Sequence, residues 1–245
     1  GLRPGAVFPA FGMAEVAIAG TFPEVLSGLR TDHVDQRVLE TEHYAAPAPA
    51  GADGVKRLAR LGRPVPGLEV RIVDPSTGDV RQEREVGELQ IRGTSVTPGY
   101  YKRPEATAAT FDGEWLRTGD LGYLVDGELV LCGRIKDVII VAGRNVYPED
   151  VERRVAEVDG VRAGNVIAFG IEGRRHEGLV VVAEARTDDA HSVRQVVEAR
   201  VRETVGLSAH DIVLVVPGSL PKTSSGKLQR SLCRDRYLGQ DLQLV

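Results

Sequence analysis

The hydrophobic pattern of this chain changes its period once, and the change falls between Gly133 and Asp137. Before it, apolar residues alternate in short runs: "LEVRIVD" (68–74), "VGELQIRG" (86–93) and "GYLVDGELVLCG" (122–133). Alternation of period two places those side chains on one face of a strand. Asp126-Gly127, inside the last run, is a two-residue hairpin signal. "YAAPAPAGADG" (44–54) reads as a surface loop. After the change a helical period appears. "YPEDVERRVAEV" carries Pro148 at a helix start, acids in the first turn, and Val151, Val155 and Val158 on one face. "DVIIVAG" (137–143) precedes it and reads as a buried strand; "NVIAFG", "LVVVAEA" and "IVLVV" read as three more. Residues 192–205 form a helix stopped by Gly206, and residues 227–238 a last one. The expected fold class is α+β. Residues 1–133 form an antiparallel sheet or small distorted barrel, and residues 134–245 a compact domain of strands and helices.

Composition narrows the function. The chain has 245 residues, 42% of them hydrophobic, and a formal net charge of −4. That balance gives no general reason to expect nucleic acid or an anionic membrane as partner. The two cysteines, Cys132 and Cys233, lack metal-ligand spacing, and the five histidines are scattered. No apolar run is long enough to span a bilayer and no signal-peptide pattern opens the chain, so a cytoplasmic setting is expected. The chain starts at Gly1 without an obvious first element, which reads as a piece of a longer protein.

Lysine is scarce and its placement is informative. Of 31 basic residues only five are lysine, and two of these, Lys222 and Lys227, flank Thr223, Ser224, Ser225 and Gly226 in "LPKTSSGKLQR". A phosphate loop of the GxxxxGK[ST] kind is excluded: its first glycine would fall at Pro221 and its last hydroxyl at Leu228. The loop is either solvated turn chemistry or the carrier of a point charge.

Five stretches in order, "FGMAE", "GELQIRG", "WLRTGDLG", "GRIKDVIIVAGRNVYPEDVE" and "LPKTSSGKLQR", resemble the later motifs of the AMP-forming adenylating enzymes. That family includes acyl-CoA synthetases, fatty acyl-AMP ligases, firefly luciferase and peptide-synthetase adenylation domains. The resemblance covers nearly the whole chain. It implies an enzyme that joins a carboxylate, here a fatty acid, to the α-phosphate of ATP with Mg2+. The acyl group then passes to a thiol, on CoA or on the phosphopantetheine of an acyl carrier protein.

The resemblance also implies roles. Glu15 would hold the magnesium. Phe11, Gly12 and Ala14 would lie at the nucleotide, with Phe11 near the adenine; Ala14 stands where many relatives have Thr. Asp120 would accept hydrogen bonds from both ribose hydroxyls, and Arg134 would also reach the ribose. Lys136 would be the hinge between the end of a large adenylating domain (1–133) and a small mobile one (134–245). Lys227 would enter the active site for adenylation, and Gly143 and Asn145 would lie near the thiol path. These residue types suit the chemistry, since two anions must meet and positive charge is needed at the moment of attack.

The family's Ser/Thr/Gly-rich phosphate loop lies upstream of "FGMAE", and nothing like it occurs here. The chain alone is therefore expected to be inactive. Three readings stay open: part of a fatty acyl-AMP ligase, part of an AMP-forming acyl-CoA synthetase, or a non-catalytic module that docks a carrier protein.

Overall fold

A computed structural model describes residues 1–172 and 177–245. The chain divides into two units, Gly1–Lys136 and Asp137–Val245. The first contains, in order, β1 (Thr21–Phe22), β2 (Thr31–Asp35), α1 (Gln36–Glu42), β3 (Val55–Ala59), β4 (Arg63–Pro64), β5 (Leu68–Val73), β6 (Gly87–Gly93), α2 (Pro104–Thr110), β7 (Phe111–Asp112), β8 (Trp115–Val125) and β9 (Glu128–Arg134). Its main sheet runs β5-β6-β8-β7, with β9 also on β8, and every pairing is antiparallel. The alternating runs form β5, β6 and the β8–β9 hairpin, whose Asp126-Gly127 turn has positive φ at both residues. One sheet face buries Leu68, Ile72, Leu89, Ile91, Leu116 and Leu129 with Phe11 and Val16.

The β2–β3 pair and the two short helices carry no pattern strong enough to read from sequence. The first helix, α1, is set by a cap: Asp35 accepts from the Val38 amide at 2.9 Å.

The second unit contains β10 (Ile139–Val141), β11 (Arg144–Val146), α3 (Pro148–Val155), β12 (Val161–Ile171), β13 (Gly178–Ala185), α4 (Ala190–Val205), β14 (Asp211–Val215) and α5 (Arg230–Leu238). Central β13 pairs antiparallel with β12 and parallel with β14. It is buried along its whole length because helices cover both faces. Val151, Val155, Val197, Val201 and Val205 of α3 and α4 pack on Leu179, Val181 and Ala183. On the other face Val180 and Val182 meet Cys233 of α5, with Tyr237 packed against the same cluster. Burial pushes the Cys233 thiol up to about 12, and Cys132 is buried as well. Among the described residues no helix is long and apolar enough to cross a membrane.

Three boundaries differ from the sequence reading, each for a local reason. "DVIIVAG" is not one buried strand. It is half of the β10–β11 hairpin, which turns at Ala142-Gly143 and leaves Ile140 exposed between buried Ile139 and Val141. The next helix, α4, starts earlier, because Asp189 caps it by accepting from the Ser192 amide at 3.0 Å. The last, α5, starts later: Lys227 accepts from the Thr223 amide at 2.8 Å, and Lys222 bridges Leu228, so the chain is still a loop there.

Candidate active site

In the first unit two nucleotide-side candidates, Asp120 and Arg134, meet where β8 breaks register. Gln90 faces Arg117 and Glu88 faces Leu121, so three residues, Thr118, Gly119 and Asp120, oppose Leu89 alone. The bulge needs Gly119, whose φ of 71° lies in the left-handed region. Thr118 Oγ1 donates to Leu89 O at 2.8 Å and accepts from the Asp120 amide at 3.0 Å. Glu88 Oε1 accepts from the Gly119 amide at 3.3 Å, and its other oxygen accepts from Arg117 Nε at 3.2 Å. This cage aims Asp120 at its cross-strand neighbour Arg134, which donates from Nε to Asp120 Oδ1 at 2.7 Å.

A cavity of about 630 Å³ opens beside the bulge, and Glu15, Tyr100, Arg117, Gly119, Arg134 and Lys136 are among its walls. Glu15 sits on a short 3-10 turn, Ala14–Val16, and accepts from the Tyr100 hydroxyl at 2.8 Å. That hydrogen bond, with some burial, pushes the Tyr100 hydroxyl above its ordinary range. Glu15 supplies one carboxylate here, while Glu88 is taken by Arg117 and the Gly119 amide. Among the described residues no group of three or more His, Cys, Asp or Glu could hold a metal. One carboxylate with substrate phosphates and water is how magnesium is usually held, so the residues fit an ion that arrives with a triphosphate.

Phe11, Gly12, Ala14 and Asp120 are not walls of this cavity, although Thr118, Gly119 and Arg134 beside Asp120 are. Phe11 is buried in the sheet core. A Cβ on Gly12 would sit 1.5 Å from Ile18 O, so the backbone itself demands glycine there. Lys136 is exposed in a turn and ends the unit.

In the second unit the lysine loop is held closed by its own hydroxyls. Thr223 Oγ1 accepts from the Lys227 amide at 3.0 Å, and Thr223 O accepts from the Gly226 amide at 2.9 Å. The two lysines differ. Lys222 donates from Nζ to Asn165 Oδ1 at 2.6 Å, whereas the exposed Lys227 ammonium has no partner among the described residues. Gly143 and Asn145 belong to the β10–β11 hairpin, Gly143 at its turn and Asn145 opposite Ile140. Tyr100, Glu88, Asn165 and Arg230 were not candidates from sequence. Glu88 stood inside a quoted motif, but its hydrogen bond to the bulge has no one-dimensional signature.

The chain resembles proteins of known class. The AMP-binding enzyme family model matches residues 2–101. The Mycobacterium tuberculosis long-chain-fatty-acid–AMP ligase FadD26 is 37% identical over 259 residues, covering 96% of this chain and 43% of that protein. The Moorena producens medium-chain-fatty-acid–[acyl-carrier-protein] ligase JamA is 37% identical over 253 residues, covering 97% of this chain and 43% of that protein. A structure from work on fatty acyl-adenylate ligases of E. coli and L. pneumophila superposes with a TM-score of 0.88 at 31% identity, over 98% of this chain and 43% of the other. The chain carries a match to the AMP-binding enzyme family and is similar to fatty acyl-AMP ligases and acyl-CoA synthetases. It spans less than half the length of the curated relatives it matches.

Proposed function

We propose that this chain supplies the later part of a fatty acyl-AMP ligase. Residues 1–133 complete a large adenylating domain, and residues 134–245 form a small domain that turns about Lys136. ATP binds in the cavity of the first unit. Asp120, steered by Arg134, accepts from the ribose hydroxyls. Glu15 would hold Mg2+, which neutralises part of the phosphate charge. Lys227 brings its ammonium to the carboxylate and α-phosphate. A carboxylate oxygen attacks the α-phosphorus, the bond to the β-phosphate breaks, and pyrophosphate leaves. Lys227 then withdraws. A pantetheine thiol reaches the adenylate past Gly143 and Asn145, attacks the acyl carbon and expels AMP.

The observation that carries this reading is the contrast between the two lysines. Lys222 is tied to Asn165 and Lys227 is presented without a partner among the described residues. A group that must arrive for one half-reaction and leave for the next suits a flexible ammonium better than a planar guanidinium. The name of the Moorena relative supports a carrier protein as thiol donor. Fatty acid, ATP and a cytosolic setting complete the proposal, and the chain by itself does not finish the reaction.

The test uses the full-length enzyme. Lys227→Ala lowers adenylate formation about a hundred- to a thousand-fold, the usual loss for such a contact. With presynthesised acyl-AMP it still transfers the acyl group at near the native rate. Lys222→Ala slows adenylation far less. Identical behaviour of the two variants sinks the reading. Product analysis with CoA and with carrier protein identifies the acceptor.

A further inference from the structure

Arg230 follows Lys227 by three residues and opens α5. Its guanidinium spans three separate parts of the second unit. One nitrogen, Nη1, meets Asp137 Oδ2 at 2.8 Å, and Asp137 is the unit's first residue. Another, Nη2, meets Glu152 Oε1 at 2.9 Å and Glu149 Oε1 at 3.3 Å, both on α3. The third, Nε, donates to Ala168 O on β12 at 2.9 Å. Glu152 Oε1 also accepts from the Ala168 amide at 2.9 Å, so the ion pair straddles one peptide of the sheet. The Arg230 side chain is only 20% exposed. A planar fork with five N–H donors can serve such a divergent set, and a single ammonium cannot.

The other root of the loop is held too. Lys222 reaches Asn165, which is buried and donates from Nδ2 to Ala163 O at 3.0 Å. Between these roots lie Ser224, Ser225 and Gly226, with Gly226 at φ 84°. The hydrogen bonds of residues 223–227 close the loop on itself, through Thr223 and the Lys227 amide and carbonyl, so the loop's place on the unit is set at its roots.

We infer that Arg230 is the positioning residue for Lys227: it ties the root of the lysine loop to α3, β12 and Asp137 at once, so that Lys227 keeps a constant place relative to the inter-unit junction. This rests on Lys227 acting in adenylation. Any turn of the second unit then carries the loop without slack. Looseness in that tie misplaces the ammonium, and a misplacement of about 1 Å can cost about a hundred-fold in rate.

The experiment compares Arg230→Lys, Asp137→Asn and Lys227→Ala in the full-length enzyme. Arg230→Lys keeps the charge and loses the fork. Asp137→Asn removes only the charge from the junction contact and leaves the straddling pair in place. Each of these two is expected to lower kcat for adenylation, by about ten- to a hundred-fold for Arg230→Lys and less for Asp137→Asn. KM for ATP and the transfer rate from presynthesised acyl-AMP are expected to stay near native values. Hydrogen exchange at the Gly226 and Lys227 amides is expected to speed up in Arg230→Lys. Unchanged adenylation in both variants, equal loss of both half-reactions, or unchanged loop exchange overturns the positioning role. If Lys227→Ala itself adenylates normally, the reading beneath the proposal fails, a result the other two variants cannot mimic.

Discussion

Arg134 donates from Nε to Asp120 Oδ1 at 2.7 Å, and the two residues are direct cross-strand neighbours on β9 and β8. The pair is asymmetric. The Asp120 side chain is 10% exposed and that of Arg134 50%. A half-exposed ion pair contributes about 1 kcal/mol or less to stability, which leaves its geometry better explained by what it presents than by what it holds together.

Asp120→Ala in the full-length enzyme should therefore act on nucleotide binding more than on folding. A hydrogen bond to a charged acceptor contributes about 1.5–3 kcal/mol, so KM for ATP should rise roughly ten- to a hundred-fold. Steady-state kinetics at saturating acid measures it. An unchanged KM removes Asp120 from the nucleotide site.

Tyr100→Phe tests the proposed magnesium ligand Glu15. The hydroxyl it removes orients Glu15, and loss of a partner that orients a metal ligand costs about ten-fold or more in metal affinity. The magnesium concentration giving half-maximal adenylation should rise by about that factor. A magnesium titration of pyrophosphate release reads it directly. A native titration curve shows that Glu15 needs no help from Tyr100.

Asp74 provides a pH-dependent stability test away from the site. Its carboxyl accepts from the Ser76 hydroxyl at 2.5 Å and the Ser76 amide at 2.7 Å, and it pairs with Arg81 at 2.6 Å. These contacts, the Ser76 hydroxyl foremost, hold its pKa at about 2 against an ordinary 3.8. A carboxyl lowered by folding adds stability above its unfolded pKa and loses it as pH falls through the folded value. Asp74→Asn should thus lower the unfolding temperature at neutral pH, with the gap closing as pH drops from 3.8 toward about 2. A gap that persists below that window assigns the effect to turn geometry instead of charge.

How much of this was legible in the sequence depended on how far apart the partners lie. The β8–β9 hairpin was legible because Asp126-Gly127 and the alternation beside it are local signals. Lys227 stood out in the sequence because lysine is rare here and its loop is short. Arg230 was not, since its partners on β12 and α3 lie between 62 and 81 residues back along the chain. Asn165 is 57 residues from Lys222 and sits where β12 departs from regular pairing between Val161 and Val166. Phe11 shows the opposite limit. A motif suggested an adenine neighbour, whereas core packing explains its burial without any ligand.

The burial of both cysteines makes the chain nearly silent toward thiol-specific labels. Alkylating reagents attack the exposed thiolate; Cys233 is held at about 12 and shielded from solvent, and Cys132 is buried as well. A single cysteine introduced at exposed Ser224, in the loop that carries Lys227, would carry a fluorophore without prior removal of Cys132 or Cys233. The lysine loop can then be followed optically through a catalytic cycle.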